Sequence, residues 1–104
     1  MQSRIINQAR PMKKILIIDD ENRTRQLIAK MIESFGLDVE TIPEGENVQS
    51  GIEAIKKHKP DVVFLDIQMP DGTGFDVLAS IPDKTFEVIF ITAHEEFAIK
   101  AIKF

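Results

Sequence analysis

Three unbroken apolar runs punctuate the chain: Ile15-Leu16-Ile17-Ile18, Val62-Val63-Phe64-Leu65 and Val88-Ile89-Phe90-Ile91. Each is rich in β-branched or aromatic residues and is bounded by polar residues or turn formers. A run without apolar–polar alternation predicts a strand buried on both faces. Leu37 to Ile42 does alternate, with Leu37, Val39 and Thr41 on one side and Asp38 and Glu40 on the other. That pattern predicts a half-exposed strand at a sheet edge. Between the runs the period becomes helical. Leu27, Ile28, Met31, Ile32 and Phe35 share one side of a helix that opens at Asn22-Arg23 and stops at Gly36. Val48, Ile52 and Ile55 mark a second helix up to Lys57, weakened by Gly51. A short third surrounds Phe75, Val77 and Leu78. Glu95 to Phe104 is helical by composition, with Phe97, Ala98, Ala101 and Ile102 as its apolar side. Pro43-Glu44-Gly45, the Pro70–Gly74 stretch and Ile81-Pro82-Asp83-Lys84 break the pattern.

Strands and helices thus alternate, which predicts an α/β fold: a parallel sheet with helices on both faces, doubly wound and flavodoxin-like. In such a sheet, ligands bind in the crevice at the carboxyl ends of the strands. Carboxylates gather there. The first run ends in Asp19-Asp20-Glu21, the second in Asp66, and the third in Thr92-Ala93. Neighbouring strands lie about 4.8 Å apart, so these groups can converge. Three carboxylates in one pocket take up protons or bind a cation. Oxygen donors without His or Cys favour a hard ion such as Mg²⁺. An Asp carboxylate can also serve as a nucleophile that carries an acyl phosphate. Plainer readings exist for each residue. Asp19-Asp20 could be a helix cap with first-turn charge. Asp66 alone could cap a turn, and Thr92 alone reads as a strand-end hydroxyl. Two separate strands ending in acid favour the site.

Composition narrows the classes. The 104 residues suit one small domain, and a net charge of −4 argues against a nucleic-acid surface. Without cysteine there is neither a disulfide framework nor a thiolate metal site. No apolar run approaches a membrane span and no signal-peptide pattern opens the chain, so a cytoplasmic location is expected. Residues 1–12 are polar and aperiodic and read as an N-terminal extension to a domain at 13–104. His58, beside Lys56, Lys57 and Lys59, reads as a solvated helix end.

At Ile17-Ile18-Asp19-Asp20-Glu21, Phe64-Leu65-Asp66-Ile67-Gln68-Met69-Pro70, Gly74 and Ile91-Thr92-Ala93 the sequence resembles the CheY-like receiver domain of two-component response regulators. The resemblance runs in order over residues 13–104. It implies that Asp66 is the phosphoacceptor and Thr92 the switch hydroxyl. It implies Mg²⁺ held by Asp19, Asp20, Asp66 and the Gln68 backbone carbonyl. It implies a sensor histidine kinase, or a small donor such as acetyl phosphate, as the source of phosphate. The domain would be a signalling element and no enzyme beyond self-dephosphorylation, which Gln68 and His94 would tune. Residues 90–101 resemble receivers that precede LytTR-type DNA-binding domains, so DNA would be met only through an output domain absent from this chain. The family has a fifth strand, a fifth helix and a lysine after that strand. Phe104 precedes all three, which implies an incomplete sheet of order 2-1-3-4 in a C-terminally truncated domain. Its uncovered edge predicts a homodimer or domain swap. Two other functions compete: a receiver fold that only dimerises or docks a partner, and an aspartyl-phosphate hydrolase. The hydrolase class usually has a second Asp where Gln68 stands.

Overall fold

The computed structural model describes residues 13–92. The N-terminal extension, His94 and the Glu95–Phe104 helix lie outside them. Strand β1 (Lys13–Ile18) leads to helix α1 (Asn22–Ser34), β2 (Val39–Ile42), α2 (Val48–His58) and β3 (Val62–Asp66). A two-residue hairpin follows, β4 (Gln68–Met69) with β5 (Gly72–Thr73), then α3 (Gly74–Ala79) and β6 (Glu87–Ile91). The main sheet is parallel throughout, in the order β2-β1-β3-β6. This is the expected 2-1-3-4 order, with the hairpin strands taking the intervening numbers. The hairpin itself was not legible, because Pro70 and Gly72 signal only a turn.

The unalternated runs are explained by two apolar layers. Leu16, Ile18, Val63, Leu65, Val88 and Phe90 point to one side and pack with Ala54 and Ile55 of α2 and Val77 and Leu78 of α3. Ile15 and Ile17 point to the other and meet Ala29 and Ile32 of α1. Successive strand residues face opposite layers, so a strand covered twice has no place for polar residues. Gly51, read as a weak point in α2, is buried; a Cβ there would lie 3.0 Å from the Ile18 side chain. The missing side chain lets α2 sit close on β1.

Four expectations need correction. Leu27, Met31 and Phe35 are 59%, 55% and 71% exposed. The apolar stripe of α1 is two residues wide, but the sheet seats only the row through Ile28, Ala29 and Ile32. Leu37 lies before β2 and is exposed, although β2 is the predicted edge strand. The third apolar run is not fully buried. β6 is the outer strand of the described sheet, with Val88 and Phe90 inside and Ile89 39% exposed. His58 is also more than a solvated helix end: its Nε2 lies 3.0 Å from Glu44 Oε1, and this contact holds the Glu44 carboxyl below its ordinary pKa. Among the described residues no helix is long and apolar enough to cross a membrane.

Candidate functional site

Register brings the acids together. Ile18 of β1 stands level with Leu65 of β3, so Asp19 and Asp66, one residue further on, emerge side by side at the same rim. Asp66 in turn pairs with Ile91 of β6, which sets Thr92 at that rim too. Ligating oxygens of Asp19, Asp20 and Asp66 lie within 4.8 Å of one another. Asp19 and Asp66 are buried and Asp20 is exposed. They line an open cleft of about 390 Å³ with Glu21, Thr24, Gln68, Ile91 and Thr92. Asp19, Asp20, Asp66, Gln68 and Thr92 therefore border one cavity.

The surroundings hold these carboxyls in place without neutralising them. Asp19 Oδ1 accepts from the Glu21 amide at 2.9 Å, and Asp66 Oδ1 from the Gln68 amide at 3.3 Å. The turn-capping reading of Asp66 thus holds alongside the site. The helix-cap reading of Asp19-Asp20 does not: the residue before α1 is Glu21, and its side chain makes no capping bond. Gly74 shapes the rim from below. Its amide donates to the Ile67 carbonyl at 2.9 Å, and a Cβ there would lie 2.5 Å from the Asp66 carbonyl oxygen. Only glycine lets α3 begin against the end of β3.

Charge crowding has a clear electrostatic result. Burial raises the Asp66 pKa from 3.8 to about 7, and the charges of Asp19 and Asp20 push the same way, against the Gln68 amide. Burial also raises Asp19, with the Glu21 amide opposing and Asp20 adding to the rise. Among the described residues, no Lys, Arg or His forms an ion pair with any of the three acids. Paired charges inside proteins are costly, and unpaired ones more so. The donor set, all carboxylate oxygen with neither His nor Cys lining the cleft among the described residues, fits a hard divalent ion that keeps part of its water shell.

A family profile described as the response regulator receiver domain matches residues 15–104. The chain belongs to the response regulator receiver domain family. The receiver is 40% identical over 93 residues to a response regulatory protein of Vibrio parahaemolyticus, covering 88% of this chain and 38% of that one. It is 39% identical over 93 residues to the transcriptional regulatory protein BtsR of Escherichia coli, with the same coverage of 88% and 38%. The chain thus spans about two-fifths of the length of these relatives. Among solved structures, the response regulator TrrA of Thermotoga maritima in complex with Mg²⁺-BeF superposes with a TM-score of 0.70 at 30% identity, over 85% of this chain and 76% of that one. The MaeR response regulator bound to beryllium trifluoride gives 0.73 at 30% identity, over 86% and 74%. Receivers are signalling domains of two-component systems, and the acid cleft of this receiver has the chemistry to bind a metal ion.

Sequence reasoning missed two contributors. Arg25 bonds to the Asp19 carbonyl, and Gly45 accepts from the Asp19 amide. Nothing local announces either. Arg25 is an ordinary helix residue and Gly45 an ordinary turn residue until the fold sets them against β1.

Proposed function

We propose that this receiver accepts a phosphoryl group on the Asp66 carboxylate and passes the change to an output through Thr92. The observation that carries this is the convergence of three carboxylates within 4.8 Å at the end of the central strands, two of them buried. An Asp66 oxygen attacks phosphorus; an O–P bond forms as the donor's bond to phosphorus breaks, releasing a kinase histidine, or acetate from acetyl phosphate. Asp19, Asp20, Asp66 and the Gln68 carbonyl would hold Mg²⁺, whose charge would offset that of the phosphoryl oxygens. Asp19 and Asp20 would orient that ion, and the Gln68 amide donates to Asp66 Oδ1, leaving the other oxygen to act as nucleophile. Thr92, half-buried at the cleft wall, would then hydrogen-bond a phosphoryl oxygen. We assign the receiver to residues 13–104, acting in the cytoplasm with a sensor histidine kinase. Incubation with acetyl phosphate and Mg²⁺ followed by intact-mass measurement tests this. The wild-type chain should gain one phosphoryl group, and Asp66→Asn or removal of the metal should abolish the gain. Undiminished labelling of Asp66→Asn would place the acceptor elsewhere.

A further inference from the structure

Asp19 is gripped from three directions. Its amide donates to the Gly45 carbonyl at 3.0 Å. Its side chain accepts from the Glu21 amide. Its own carbonyl accepts from Arg25 Nη1 at 2.6 Å, a short charge-assisted bond. Peptide groups are planar, so the orientation of Asp19 depends on two dihedrals alone. The Gly45 carbonyl holds the peptide plane before Asp19, and the guanidinium holds the plane after it. That second plane launches Asp20. Arg25 thus reaches the two acids from behind, through the backbone that joins them.

Arg25 is half-buried on α1 and faces a separate cleft beside Pro43, Gly45 and Ala54. Its Nη2 donates to Asn22 Oδ1 at 3.1 Å, while its Nε is buried and makes no hydrogen bond among the described residues. Leaving a buried donor unpaired costs stability, so the placement is poor if helix stability is its only use.

We infer that Arg25 is a positioning residue for the acid site, clamping the Asp19–Asp20 peptide so that both carboxylates present to a divalent ion. This rests on the metal reading proposed above. Residues behind metal ligands typically change affinity by about 10–100-fold when removed.

Mg²⁺ titration by calorimetry on the 104-residue chain, beside melting of the metal-free protein, tests the inference. Arg25→Met removes every donor and keeps an apolar stem. It should weaken Mg²⁺ binding by about tenfold or more. Asn22→Ala removes only the contact to the helix start and should leave affinity within about twofold. Arg25→Lys restores one charged donor without the planar fork and should give an intermediate affinity. A merely structural role would lower the melting temperature and leave the affinity alone. Arg25→Met binding as tightly as wild type, or Asn22→Ala losing as much as Arg25→Met, overturns the clamp. If Arg25→Met does not fold, Arg25→Lys decides: weaker binding supports the clamp and wild-type binding overturns it. A wild-type chain that binds no Mg²⁺ overturns the metal reading itself, and the clamp with it.

Discussion

Asp66 ends β3, Asp71 lies in the turn between β4 and β5, and the two meet opposite surroundings. Asp71 reaches across to the start of α2, where its carboxylate accepts from the Val48 amide at 2.7 Å and the Gln49 amide at 3.2 Å. Those bonds, the Val48 one foremost, hold its pKa below the ordinary value. Asn47 takes the next amide, from Ser50, and the Asn47 carbonyl takes the one after, from Gly51. The first four amides of α2 are thereby all satisfied, which is the full requirement of a helix start. Asp66 instead faces two other acids and keeps its proton to about pH 7. The residue type is the same. One carboxylate completes the fold, while the other is left without a cation among the described residues. That contrast supports the proposal that an ion from outside the chain completes the Asp66 cluster.

Exchanging the two acids for neutral residues gives the largest contrast. Asp66→Asn should lose acetyl phosphate labelling entirely, whereas Asp71→Asn should label within about twofold of wild type. Equal loss in both would erase the distinction between them. Gly74→Ala should come next. Its Cβ has no room beside the Asp66 carbonyl, so either α3 or the strand end must shift. Urea denaturation should show about 1–3 kcal/mol of destabilisation, as for overpacked sites generally. An unchanged midpoint would mean that the rim yields easily and does not fix Asp66.

The pH dependence sharpens the comparison further. Asp66 in the folded chain holds its proton to about 7, against 3.8 for an ordinary Asp. Between those limits the native state binds more protons than the unfolded one. Metal-free stability from this group is therefore greatest at the acid end and falls as pH rises from about 4 to about 7. Asp19, raised by burial, adds in the same sense. Mg²⁺ at the proposed site would bind the ionised acids, so its stabilising effect should grow over that range. Melting with and without Mg²⁺ from acid to neutral pH checks both slopes, and a Mg²⁺ effect that shrinks toward neutral pH would contradict the acid cluster. Asp71 has the opposite sign: its contribution is present above the ordinary carboxylate value and is lost as pH falls below it. Asp71→Ala should accordingly lower the melting temperature by only a few degrees, and only above that value. The change is the smallest here because the group lies in full contact with solvent.

Much of the architecture was legible because strands and helices write local periods. Two layers of cover turned Ile15–Ile18 and Val62–Leu65 into unbroken apolar runs, and one exposed side made Val39, Glu40 and Thr41 of β2 alternate. The acids at 19, 20 and 66 were legible for a related reason, since a carboxylate directly after a buried run has to stand at a strand end. The stripe on α1 misled because periodicity shows which residues share a side, and not how wide a seat the sheet offers. Leu27 and Met31 fall one row outside it.

From sequence alone came the order of the main-sheet strands and their helices, the burial of the first two apolar runs and the chemistry of the rim, all of which depend on neighbours a few residues away. Tertiary structure decided the rest. Parallel register set Asp19 beside Asp66, the bend after β2 brought the Gly45 carbonyl to the Asp19 amide, and Asp71 found α2 from 23 residues away. Such bonds join groups that no local pattern relates. They exist only once hydrophobic burial has already folded the chain back upon itself.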